Sequence, residues 1–214
     1  MYDGSSRSVG ESGIGARQLA LIHTYRQLME QQLRLFCEVQ RGILYQLPGQ
    51  ESLHIRLQRN ARDLAEALRR FYGPRKTEEA ASLFSGRYRL YIALLQKRSS
   101  LQPEEADQLR RRWAQNAGEI ARFLSVINPF WENGEWRARL LTQMQLLETA
   151  YELRAEARWE EELDAWDQLE DLSPNGGLFL QRPDPAVSVC LTNSDGPPSC
   201  LGWRAVFLQQ RPSI

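Results

Sequence analysis

"QRNARDLAEALRRFYGP" (Gln58–Pro74) and "AQNAGEIARFLSVINPFW" (Ala114–Trp131) say nearly the same thing twice. Each opens with an Asn-Ala pair, Asn60-Ala61 and Asn116-Ala117, with an acid three residues after the Asn, Asp63 and Glu119. An aliphatic-Ala step follows (Leu64-Ala65, Ile120-Ala121), then Leu68 and Leu124, then an aromatic cluster beside a proline. The apolar positions fall at helical spacing, so both stretches predict amphipathic helices. An acid three residues after an Asn is also a capping-box-like signal, which predicts a kink or restart within each helix; Gly118 strengthens it in the second copy.

Working outward, punctuation divides the chain into about six helices, over residues 17–46, 50–72, 76–98, 103–127, 133–157 and 159–172. Pro48-Gly49 and Gly73-Pro74 cannot continue a helix. Pro103, followed by Glu104 and Glu105, suits a first turn, and Asn128-Pro129 ends the fourth helix. "EARWEEELDAWDQLEDL" places Trp159 and Trp166 seven apart, the mark of a helix docking an aromatic stripe. Phe130, Trp131 and Trp136 are expected to pack the turn before the fifth helix.

The 56-residue offset between Asn60 and Asn116 extends to the odd-numbered helices. The first carries an apolar stripe at Ile22, Tyr25, Met29, Phe36, Val39 and Ile43, with one gap at Gln32. A step of 56 from Gln32 reaches Tyr88, inside the stripe Ala81, Phe84, Tyr88, Tyr91, Leu95; a further 55 reaches Gln143, inside Trp136, Leu140, Gln143, Leu147, Ala150. The chain thus reads as an internal repeat of three helix-hairpin units. Two-helix units cannot bury their apolar faces alone, and short connections favour antiparallel neighbours. The expected fold is all-α: an antiparallel bundle of six helices, with Gln32, Tyr88 and Gln143 at one inward layer. Two readings of that layer stay open, a hydrogen-bonded core that fixes register and the lining of a small pocket.

Flanking the bundle domain (residues 16–172) are a Gly/Ser-rich stretch, 1–15, read as a disordered arm, and a tail, 173–214, holding six of the ten prolines. The tail has no helical pattern; Val187–Thr192, an Asp195-Gly196 turn signal and Trp203–Leu208 leave a small hairpin open. Cys190 and Cys200 would pair only in an oxidising setting, and three Cys are too few for a disulfide scaffold. Lys plus Arg equals Asp plus Glu at 27 each, which argues against a nucleic-acid or membrane-surface binder. With no apolar run near ~20 residues and no signal-peptide pattern, the expectation is a cytoplasmic protein. A protein partner and the oligomeric state stay open.

The stretch "RRRWAQNAGEIARFLSVINPFWENGEWRARLL", with "LMEQQLRLF", "RNARDLAEALRRFYG" and "LLETAYELRAEARWEEELDAWDQLE", resembles a family of uncharacterised helical proteins of Gram-positive, often spore-forming bacteria, over roughly residues 20–172. The resemblance implies a helical bundle similar to others that bind metal between helices, with a His preceded by an acid or amide at the positions matching Gln32, Tyr88 and Gln143. All three imidazoles are absent here. Glu30 and Glu148 match, and Arg87 stands where the family can have an acid. The resemblance therefore implies a site that has lost its metal, since Gln and Tyr do not replace imidazole toward a borderline ion. Some relatives carry an acetylglutamate kinase label, which nothing here supports: no Gly-rich phosphate loop joins a strand to a helix.

Other chemistry is sparse. Glu51-x-x-His54 has the spacing of a di-iron bundle motif but occurs once where two are needed. His23 lies seven residues from Glu30 on the same helix, so the alternative ligand set is His23, Glu30, Glu51 and His54. Cys37, on an apolar helix face, is expected to be a small core residue with a raised pKa, and no nucleophile elbow is present. The reading favoured is a non-enzymatic structural or interaction module with a degenerate inward polar site (Gln32, Tyr88, Gln143, Glu30, Glu148) and no cofactor. The alternative is a metal- or small-ligand-binding bundle with catalytic capacity.

Overall fold

Proline, glycine and three left-handed residues punctuate the chain. The computed structural model describes residues 16–172. Among them are six helices and no strand: α1 Ala16–Leu44, α2 Gln50–Glu66, α3 Arg69–Ser99, α4 Pro103–Ile127, α5 Asn133–Ala155 and α6 Trp159–Leu172. They form an antiparallel bundle of three helix hairpins. The expectations for the arm 1–15 and the tail 173–214, including the hairpin and the Cys190–Cys200 pair, lie outside the described residues.

Each hairpin turns by the same device. Gln46 (φ 52°), Leu101 (φ 55°) and Ala157 (φ 57°) sit in the left-handed region just past α1, α3 and α5, spaced 55 and 56 residues apart. One residue later a backbone N–H reaches back five positions: Leu47 to the Gly42 carbonyl (2.9 Å), Gln102 to Lys97 (3.0 Å) and Arg158 to Leu153 (2.9 Å). This is the 6→1 bond of a Schellman cap, which satisfies carbonyls at a helix end and reverses the chain. None of the three left-handed residues is Gly, so each turn holds some strain.

Two helix boundaries, the end of α2 and the start of α3, differ from the sequence reading by more than two residues. The second helix ends at Glu66, not 72, because the Leu68 N–H bonds the Ala65 carbonyl (2.9 Å), three residues back. That tighter step turns the chain while Leu68 packs into a cluster with Leu64, Ile120 and Leu124. The chain resumes helical geometry at Arg69 and breaks again at Gly73 (φ 74°, ψ 173°), with Pro74 leading the long remainder of α3. A side chain at position 73 would be strained in that conformation. The kink expected at Asn116–Gly118 does not occur: α4 runs unbroken to Ile127, and α2 is unbroken across Asn60.

The odd helices supply the centre. Phe36, Val39, Tyr88, Tyr91, Leu95 and Leu147 are buried, as their stripes predict. Edge-on and tilted contacts link Phe36 to Tyr88 (5.4 Å) and Tyr91 (4.8 Å), and Tyr91 to Trp113 of α4 (5.3 Å). Burying each such ring contributes about 1.5–3 kcal/mol. Helix α1 touches α2, α3, α5 and α6, so it is the axis of the bundle. Long side chains bridge α3 to α5: Arg87 reaches Leu140 and Gln143, and Arg98 reaches Glu148 and Glu152.

At the turn before α5, Trp131 and Trp136 are buried, and Trp131 packs tilted against Tyr72 (6.2 Å) and edge-on against Trp136 (6.1 Å). The Phe130 N–H bonds the Asn128 side-chain oxygen (2.9 Å), closing a local turn. Helix α6 docks through Glu162, Ala165 and Leu169 rather than through a tryptophan stripe. Trp166 packs beside them while Trp159 stays half exposed. None of the described helices is long and apolar enough to cross a membrane.

Candidate functional site

The helical period turns Gln32 inward from α1, Arg87 and Tyr88 from α3, and Gln143 from α5, and all four are buried. The Gln32 amide donates to the Tyr88 hydroxyl (2.5 Å), across 56 residues of sequence. The Tyr88 hydroxyl in turn faces the Asn60 side-chain oxygen at 3.4 Å. Gln143 does not join that pair. Its amide oxygen accepts from Arg87 Nη2 (2.9 Å), which also donates to the Leu140 carbonyl (2.9 Å). The layer is therefore two couples, Gln32–Tyr88 and Arg87–Gln143, each joining residues 56 apart.

Asn60 and Asn116 tie neighbouring helices together. Asn60 is fully buried, and its amide donates to the Leu28 carbonyl (2.9 Å) and the Gln31 side chain (3.0 Å), both on α1. Asn116 donates to the Leu83 carbonyl on α3 (3.2 Å), with Gly86 of the same helix beside its amide. The repeated Asn therefore acts between helices, not as a cap. An extended helix carbonyl retains a second lone pair, so both carbonyls can accept these bonds without leaving the ladder.

Arg87 is the functional residue that sequence reasoning placed least well. It is 3% exposed, its guanidinium lies 5.2 Å from the Trp113 ring centre, and burial lowers its pKa to about 10. It still carries its charge at neutral pH, yet among the described residues its hydrogen-bond partners are a carbonyl and an amide and not a carboxylate. Nε and Nη1 have no hydrogen-bond partner, nor does Gln32 Oε1. Burial pushes Tyr88 and Tyr25 well above the usual phenol range. The sequence offers two hints: Arg87 adjoins the stripe residue Tyr88, and the resemblance sets it where an acid can stand.

These groups line a cavity of about 70 Å³, whose remaining wall is Met29, Leu64, Phe84, Ile120, Leu124, Trp136 and Leu140, with Tyr25 at one side. Glu30 and Glu148, grouped with the layer on sequence, do not face it. Glu30 is exposed and lines an open groove of about 700 Å³ between α1 and α6. Glu148 is held by Arg98 (3.1 Å) and Arg110 (2.7 Å) at the other end of α5. The reason is register: Glu30 lies two residues from Gln32 and Glu148 five from Gln143, offsets that rotate each off the inward face.

The alternative ligand residues are not brought together either. His23 and Glu51 are exposed on α1 and α2, and His54 is half-buried, with its pKa lowered by burial and Nε2 unpartnered. Among the described residues no three His, Cys, Asp or Glu side chains are grouped as metal ligands. Cys37 is half-buried at the α1–α6 groove rather than in the core. Burial raises its thiol pKa, while Arg154, whose Nη2 is 3.5 Å from the sulfur, opposes that rise. Arg154 is itself paired with buried Glu162, which also accepts from the Trp166 indole (3.0 Å). Comparison with protein-family models, with curated proteins and with solved structures finds no match for this chain.

Proposed function

We propose that the chain is a non-enzymatic helical-bundle protein, a structural or interaction module, whose central polar layer fixes register rather than supporting turnover. One observation carries this reading: among the described residues, the wall of the central cavity holds no carboxylate, imidazole, thiol or amine. General acid–base chemistry near pH 7 needs a group that titrates close to that pH. Arg87, at about 10, and the two phenols, raised by burial, are all remote from it. A nucleophile or metal would need side chains that this wall does not supply.

In the same reading the three hairpins are copies of one unit. Left-handed turn residues 55 and 56 apart, and hydrogen-bonded pairs 56 apart, support it. So does the family resemblance, with Gln32, Tyr88 and Gln143 standing for imidazoles and Arg87 for an acid. A cation supplied by the protein at that layer would repel a metal ion rather than hold it.

Elemental mass spectrometry of untagged protein, purified without chelator, tests the proposal. Iron, manganese and zinc far below stoichiometric are expected. Near-stoichiometric metal would overturn the reading and direct attention to Glu30, Glu148, His23 and His54.

A further inference from the structure

Helix α6 packs mainly on α5 and only lightly on α1. Between α6 and α1 lies the open groove of about 700 Å³, where Met29, Leu33, Trp159, Leu163 and Trp166 supply apolar surface. Trp159 is 53% exposed and Leu163 62%, and both stand on the helix that the tail follows directly. Large apolar side chains gathered along one groove mark an interaction surface, whereas single scattered ones do not. Arg26, Arg34, Glu30 and Glu170 also line the groove, so whatever covers it meets charge of both signs. The α6 side of the groove runs from Trp159 to Glu170, about 17 Å at the helical rise. The helix ends just past it, at Leu172.

We propose that this groove is the seat of the chain's own tail, filled by the run Leu178-Phe179-Leu180. Ser173-Pro174-Asn175-Gly176-Gly177 separates that run from α6, and Pro, Asn and Gly are the residues that favour chain reversal. A reversed segment returns along α6 toward Trp159. Extended, the residues Leu178–Arg182 span about 17 Å, which matches the α6 side of the groove. Leu178-Phe179-Leu180 is the first apolar run after Leu172, so it closes a shorter loop than Val187–Thr192 or Trp203–Leu208 would. It covers the exposed faces of Leu163 and Trp159. Arg182 and Asp184 follow it, one of each sign, and suit a groove lined by both arginine and glutamate. The inference goes beyond the non-enzymatic reading and does not rest on it, since a tail in this groove is compatible with any occupant of the central layer.

The test is a double-mutant cycle in the full chain. Leu163→Gln, which keeps helix propensity, and Phe179→Ser are compared singly and together by thermal melting. Each single change should lower the melting temperature by a few degrees, and the double change should lower it no further than the larger single one. Cys37, which also lines the groove, gives a second reading. With Cys190→Ser and Cys200→Ser leaving it the sole cysteine, N-ethylmaleimide should label it several-fold faster once Leu178, Phe179 and Leu180 are all changed to Ser. A neutral Phe179→Ser, strictly additive shifts or equal labelling rates would overturn the proposal. So would a wild-type melting temperature that rises with protein concentration and is indifferent to Phe179→Ser, the mark of a second copy in the groove.

Discussion

Replacing the two repeated asparagines separately asks whether the copies do equal work. Asn60→Ala removes a fully buried side chain that donates to the Leu28 carbonyl and Gln31 and faces the Tyr88 hydroxyl. Leu28 keeps its place in the helical ladder, so the main losses are two donated bonds at about 1 kcal/mol each and a buried Tyr88 hydroxyl without its acceptor, at about 1–3 kcal/mol. The expected cost is about 3 kcal/mol, or a fall in melting temperature of roughly 6–12 °C for a chain of this size. Asn116→Ala breaks a single longer bond, to Leu83, and removes a side-chain oxygen that already lacks a partner. Its loss should be no more than about 1 kcal/mol. Urea unfolding followed by far-UV circular dichroism gives both values by linear extrapolation, with unchanged m-values as the check on two-state behaviour. Equal losses, or a larger loss at Asn116, would refute the assignment of Asn60 as the principal tie between α1 and α2.

Leu101 is 88% exposed with φ 55°, so Leu101→Gly should relieve left-handed strain without losing packing and raise stability by about 0.5–1 kcal/mol in the same unfolding assay. Glu162→Ala strips the carboxylate from buried Arg154 and the acceptor from Trp166, and should cost about 3–5 kcal/mol. Glu162→Gln keeps an acceptor and should lose markedly less on the same urea curves. His54 has its folded pKa depressed below 6.5 by burial, so its unfolded form takes up a proton first as the pH drops. Its contribution is complete above 6.5 and is lost as pH falls toward the folded pKa; urea midpoints between about pH 7.5 and 5.5 should fall less steeply in His54→Gln than in the wild type.

The sequence disclosed the odd helices better than the rest because their apolar stripes repeat at helical spacing with one polar gap each. That pattern alone placed Gln32, Tyr88 and Gln143 on inward faces, and all three are buried there. It did not say which polar group meets which. Asn60 looked like a cap because a cap and an interhelical tie share the same local signature. Only its partner on α1, the Leu28 carbonyl 32 residues earlier, tells them apart. The end of α2 was misplaced for a similar reason: "AEALRRFYG" has sound helical propensity, and it is the packing of Leu68 against Ile120 and Leu124 that accompanies the early turn. Arg87 was the hardest residue to read. Its long side chain spans from α3 to α5, and nothing local distinguishes it from exposed Arg89, two residues on.

The position of Arg87 also changes what the central layer is able to do. Carboxylates and imidazoles facing one another make a site that wants a cation. Amides, phenols and a guanidinium make the reverse: the protein supplies the positive charge, and the amide and backbone oxygens of Gln143 and Leu140 turn toward it. Arg87 is the one formally charged side chain among the described residues of that wall, so it sets the sign of the charge there. The three left-handed turn residues, Gln46, Leu101 and Ala157, are not among the residues of the cavity wall. Arg87→Glu reverses the sign of the charge at this layer and leaves those three turn residues as they are.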